Sequence, residues 1–252
     1  MTTTTMVDLE TRDGKCRMAV VRPEDGKGPW PAVIFCIDGL GYRPTLLEMA
    51  ERLAGHGYLV AMPDLFHRAG AYDPKEIRAM LFNPESMPQW RARYHDPATK
   101  FDSLRNDLGA VLDYLAAQPD VAQAKVGTTG YCMGGRISLA AAGLFPERVA
   151  VSASFHGGFL AFDGPDSPHS LASQMKAHVY VGAATDDQSF PEAMKQKLDE
   201  ALTKAGVDHV IETYQARHGF AVPDNPSYDP AAADRHWTAM VGAFDRGLKA
   251  AG

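Results

Sequence analysis

The stretch Gly130-Tyr131-Cys132-Met133-Gly134-Gly135 constrains this chain more than any other. Lys125-Val126-Gly127-Thr128-Thr129 before it ends in a β-compatible run, and Arg136 to Ala142 after it is rich in helix formers. A strand that turns through glycines into a helix is the setting of a nucleophile elbow. So sharp a turn holds its apex residue in a strained backbone conformation. Glycine two residues before the apex (Gly130) and two after (Gly134) removes Cβ atoms that would collide there. The apex side chain then projects above the sheet at a helix N-terminus, where amide donors and the helix dipole favour negative charge. Here the apex is Cys132. A thiolate is intrinsically a strong nucleophile, whereas a cysteine that is merely buried behaves as a small hydrophobe.

Around this stretch the chain alternates strands with helices. Cys16 to Arg22 reads as a first strand, and Pro23 to Pro29 as a turn cluster. The continuous apolar run Ala32 to Ile37 suits a strand buried on both faces of a parallel sheet. Asp38-Gly39-Leu40-Gly41 follows at its C-terminal end, where α/β sheets place their sites. Thr45 to His56 has helical spacing, and Tyr58 to Pro63 is the next strand. Residues 69–100, interrupted by Pro74, Pro84, Pro88 and Pro97, read as irregular, with a short helix possible over Pro74 to Phe82. Trp90, Arg91, Arg93 and Tyr94 on this excursion are candidate pocket residues or, equally, aromatics pinning a surface loop.

Phe101 to Gln118 carries Leu104, Leu108, Val111, Leu112 and Leu115 on one helical stripe. After the elbow come a helix to Phe145, a strand from Val149 to Phe155, and His156, which reads as a structural histidine. A strand over Ala177 to Gly182, a helix from Pro191 to Ala205, a strand over Val210 to Tyr214 and a helix from Ala231 to Leu248 complete the chain. The pattern predicts one doubly wound, mostly parallel α/β sheet flanked by helices, a single domain over residues 1–252 with no separate lid domain.

A net charge of −6 without a Lys/Arg cluster argues against a nucleic-acid partner. The N-terminus has neither the basic region nor the apolar run of a signal peptide, and no apolar stretch approaches the length of a membrane span. Three widely separated cysteines (Cys16, Cys36 and Cys132) fit neither a disulfide framework nor a zinc site. A cytoplasmic protein, monomer or homodimer, with no metal or cofactor is the expectation.

A nucleophile on an elbow needs a base, and the base needs an orienter. In the α/β-hydrolase fold they follow in the order nucleophile, acid, histidine. Cys132, Asp186-Asp187 and His218 stand in that order on loops after strands. Asp187, four residues before Pro191, is the preferred acid, with Asp186 the alternative. The backbone amides of Met133 and Gly39 are the candidate oxyanion hole.

The elbow with cysteine, the Pro63-Asp64-Leu65 turn, the Asp187 turn and His218-Gly219-Phe220 together resemble the dienelactone hydrolase (carboxymethylenebutenolidase) family, from about Asp13 to Leu248. The resemblance implies an α/β-hydrolase with a Cys-His-Asp triad and no cofactor, hydrolysing small ester or lactone substrates through a thioacyl-enzyme. In that family a glutamate after the second core strand holds the resting thiol, and Asp38 stands at the matching position as a thiol-modulating residue. The family's type enzymes also carry an arginine four residues after the histidine to grip a substrate carboxylate. Here that residue is Val222, which leaves Arg43, Arg91 and Arg93 as possible cations and points toward neutral substrates. Other readings of the same sequence are a non-catalytic binding protein on a hydrolase fold, a thiol redox protein and an acyltransferase.

Overall fold

The computed structural model describes residues 2–24, 28–122 and 125–249. Its sheet comprises β1 (Thr2–Thr11), β2 (Gly14–Pro23), β3 (Ala32–Cys36), β4 (Leu59–Pro63), β5 (Val126–Tyr131), β6 (Val149–Phe155), β7 (His178–Ala184) and β8 (His209–Tyr214). The spatial order is β1-β2-β4-β3-β5-β6-β7-β8. β2 pairs antiparallel with β1 and β4, and the remaining pairs from β4 across to β8 are parallel. The sheet therefore begins before Cys16, where the sequence reading began it. β1 is an edge strand whose residues are at most half-buried, so no apolar stripe marks it, although its β-branched threonines favour an extended chain.

The helices are α1 (Pro44–Ala54), α2 (Pro74–Leu81), α3 (Met87–Trp90), α4 (Asp96–Thr99), α5 (Phe101–Ala116), α6 (Met133–Leu144), α7 (Glu192–Ala205) and α8 (Pro230–Phe244). α5 buries Leu104, Leu108, Val111, Leu112 and Leu115, each worth about 1.5–3 kcal/mol of apolar burial. Residues 69–100 are far more helical than their prolines suggest. Pro74, Pro88 and Pro97 each occupy a first helical turn, where the missing N–H costs nothing, and the Asp73 side chain caps α2 by accepting from the Lys75 amide. Between α3 and α4 the helix widens into a π-type turn over Arg91–His95, a local device common at functional sites.

β3 runs parallel beside both β4 and β5, so the chain turns one way after β3 and the other way after β5. That reversal opens a crevice at the carboxyl ends of β3 and β5. The loop with Asp38 and Gly39 leaves β3 there, and the elbow leaves β5 there. Behind β5, the Tyr131 hydroxyl bonds His236 Nε2 at 3.0 Å, in a site where burial pulls the His236 pKa down to about 3. A neutral imidazole anchors the strand next to the elbow.

Candidate active site

Cys132 stands at the N-cap of α6 with φ 55° and ψ −116°, a conformation that side chains rarely adopt. The surrounding backbone holds it there. The Cys132 amide donates to the Phe155 carbonyl at 3.1 Å, and its own carbonyl accepts from the Gly135 amide at 3.1 Å. The glycines answer to contact distances. A Cβ on Gly130 would lie 2.3 Å from the Gly134 carbonyl, and one on Gly134 would lie 2.3 Å from the Cys36 carbonyl oxygen. Both obstacles are backbone, so neither can move aside.

The loop after β8 brings His218 to this point, and the loop after β7 brings Asp187. His218 Nδ1 donates to Asp187 Oδ2 at 2.7 Å, and the ring lines the same cavity as Cys132, close enough for the two to interact electrostatically. Asp187 is buried, whereas Asp186 is exposed at φ 52° and makes the turn between them and β7. Burial opposes a charged imidazole, but the Cys132 sulfur and the Asp187 carboxylate outweigh it and hold the His218 pKa up at about 10. Burial likewise opposes the charged Asp187, and its bonds from His218 and Ser189 more than compensate, holding the carboxyl below its ordinary range. Among the three cysteines only Cys132 is partly accessible. Cys16 and Cys36 are fully buried, which pushes their thiols up to about 12.

A cavity of about 300 Å³ opens beside Cys132 and His218. Met133, Leu81, Met87, Trp90 and Phe159 supply an apolar wall, and Arg91, His95, Gln188 and Ser189 supply its polar edge. Burial lowers the His95 pKa to about 4, so this imidazole is neutral at neutral pH. Trp90 Nε1 donates to the Gly39 carbonyl at 3.0 Å, pinning the loop whose amide was read as an oxyanion donor.

Of the residues read from the sequence, Cys132, Met133, His218, Trp90 and Arg91 meet at this cavity, with Asp187 behind His218. Tyr94 and Arg43 do not. Tyr94 packs on Phe66 and Tyr72, with the Arg93 guanidinium over its ring. Arg43 is buried in an ion cluster, reaching Asp38 at 2.6 and 2.9 Å and Asp224 at 2.7 and 2.8 Å. Both Asp38 oxygens are thereby engaged, and Oδ1 also accepts from the Leu40 amide at 2.9 Å. The shorter carboxylate turns to Arg43, not to the thiol as the family pattern suggested. Val222 is buried. His95, Phe159 and Ser189 escaped the sequence reading. Only His95, one helical turn after Arg91, carried a spacing that could have drawn notice.

The sheet order, the strained apex residue after β5 and the histidine after the last strand define an α/β-hydrolase. More narrowly, the chain belongs to the dienelactone hydrolase family, whose model matches residues 17–248. A Synechocystis protein assigned as a carboxymethylenebutenolidase is 28% identical over 231 residues, covering 88% of each chain. A crystal structure assigned as a dienelactone hydrolase from Klebsiella pneumoniae superposes with a TM-score of 0.85 at 24% identity, over 98% of this chain and 99% of that one. The dienelactone hydrolase-like promiscuous phosphotriesterase P91, from metagenomic libraries, gives 0.78 at 25% identity over 98% of this chain and 99% of its own. Among the described residues no helix is long and apolar enough to cross a membrane, and no His, Cys, Asp and Glu side chains group to hold a metal ion.

Proposed function

We propose that this chain is a cysteine-dependent hydrolase of carboxylic esters or lactones, working through a thioacyl-enzyme. The observation that carries the reading is one imidazole set between both partners, His218 bonded to Asp187 on one nitrogen and sharing its cavity and electrostatics with Cys132. Asp187 fixes the tautomer by accepting the Nδ1 proton, which turns Nε2 toward the sulfur. The Cys132 thiolate attacks the carbonyl carbon, and the carbonyl electron pair moves to oxygen, where the Met133 and Gly39 amides receive it. The oxyanion collapses, and the His218 imidazolium gives its proton to the departing alkoxide. Neutral His218 then takes a proton from water, hydroxide attacks the thioester, and the acid leaves as the thiolate is restored.

The pH dependence has a definite sign. In the resting enzyme the Cys132 and Asp187 charges hold the imidazolium until pH approaches about 10, so the starting state for acylation is lost only at the alkaline end. Apolar walls around the thiol and a neutral His95 favour uncharged, moderately hydrophobic acyl groups. With Arg43 committed to two carboxylates, the cation at the cavity is Arg91, about half exposed and stacked over Phe159. A screen of p-nitrophenyl esters, enol lactones and saturated lactones tests the activity. Cys132→Ala should lower kcat by at least about a thousandfold, and a single-turnover sample should yield the acyl adduct on Cys132 by mass spectrometry. Turnover that survives Cys132→Ala would remove the thioacyl mechanism. The 4-carboxymethylene-butenolide acid should be a poorer substrate than its methyl ester; the reverse order would make Arg91 a carboxylate clamp.

A further inference from the structure

Asp187 has a second partner that the reaction scheme leaves unused. Oδ2 accepts from His218, while Oδ1 accepts twice from Ser189, from its hydroxyl at 2.6 Å and its amide at 2.8 Å. The same hydroxyl oxygen lies 3.3 Å from His218 Nδ1. With its proton given to the carboxylate, that oxygen faces the Nδ1–H as a second, weaker acceptor. One hydroxyl therefore touches both the acid and the imidazole.

Its place is closely held. The Ser189 carbonyl accepts from the Phe159 amide at 2.7 Å, tying it to the loop after β6. A Cβ on Gly158 would come within 2.9 Å of Ser189 Oγ, so the glycine is what leaves room for the hydroxyl. Ser189 also contributes to the wall of the apolar cavity beside Cys132. Phe159, next to that glycine, has φ 54°, a strained conformation at the same contact.

We infer that Ser189 is a positioning residue, a fourth member of the relay that sets the orientation and basicity of Asp187 toward His218. A carboxylate bonded on one oxygen only can rotate about its Cβ–Cγ bond, whereas two donors on Oδ1 fix the plane in which Oδ2 meets the imidazole. The hydroxyl proton also draws charge away from the carboxylate. Without it, Asp187 holds an imidazolium more tightly, and His218 becomes a neutral base only at higher pH. The step affected is deacylation, because the thioacyl-enzyme no longer has a thiolate beside the ring and the carboxylate dominates its proton affinity.

This inference rests on the triad reading above, and the test separates the two. Ser189→Ala and Ser189→Gly share only the missing hydroxyl and leave different space against Gly158. With p-nitrophenyl butyrate under burst conditions, both variants should lose about tenfold in steady-state kcat with KM falling in proportion, so that kcat/KM and the burst rate stay within about twofold of wild type. The acid limb of their kcat profile should move to higher pH by the same amount. The low-field NMR resonance of the His218 Nδ1 proton should shift in both. Wild-type kcat and an unmoved acid limb in the two variants would overturn the assignment, as would a limb that moves in one variant only, since that reports packing. Cys132→Ala measured alongside guards the premise. If it still turns over, the triad reading falls; if it is inactive while both Ser189 variants behave as wild type, only the role of Ser189 falls.

Discussion

The ends of β5, β7 and β8 and the helical segment from Pro74 to Thr99 meet at one cavity but are held by different forces. At the strand ends, position comes from backbone. Gly130 and Gly134 approach neighbouring carbonyls to distances that no side chain allows, and the apex cysteine is strained by the turn itself. In the wall segment, position comes from side chains. Trp90 reaches the Gly39 carbonyl, Tyr94 packs among aromatics, and short helices are strung on prolines. A backbone-built site tolerates almost no substitution and so preserves a chemistry. A wall built from side chains can be repacked, and so can acquire a different substrate.

The sharpest way to break this contrast is Gly134→Ala. A methyl 2.3 Å from the Cys36 carbonyl forces the elbow apart, and the cost should exceed about 3 kcal/mol. The expected result is loss of activity together with a fall in the midpoint of urea unfolding. An active, stable Gly134→Ala protein would show the elbow to be far softer than its contacts imply. Next in size, Asp187→Asn should lower kcat about a thousandfold by presenting the wrong partner to Nδ1, with Asp186→Asn close to wild type. Steady-state kinetics on one ester decides between them, and a damaging Asp186→Asn beside a mild Asp187→Asn would exchange their roles. Smallest is Trp90→Phe, which keeps the ring and drops the bond to Gly39. It should cost about tenfold in kcat/KM across acyl groups, with iodoacetamide alkylation of Cys132 within twofold of wild type. A change confined to one acyl group would make Trp90 a specificity residue alone.

The same contrast explains what could be read in the sequence. Glycine spacing, an apolar run at β3 and a histidine after the last strand each mark a backbone requirement, and backbone requirements leave a regular trace. The wall leaves none. Pro88 and Pro97 look like breakers when they are in fact first-turn residues, and the strand Thr2–Thr11 has no apolar alternation because it pairs at an edge. The partnership of Asp38 with Arg43 and Asp224 depends on an Arg43–Asp224 contact across 181 positions, and no local pattern announces it. Ser189 is legible only once Asp187 and His218 are placed around it.

Arg43 has a consequence of its own. Its bonds join the loop that carries Gly39 to the loop that follows His218, and Arg43 and Asp38 are both largely hidden from solvent. Mobile ions weaken charge pairs on the surface, such as Lys15 with Glu10, because they can stand between them. They cannot reach the Arg43–Asp38 pair, whereas Asp224, its side chain 30% exposed, is the end of the cluster open to them. The shape of the Asp38-Gly39 loop is thus insulated from ionic strength by its own arginine, and dilute or briny surroundings are felt only at the tie to Asp224.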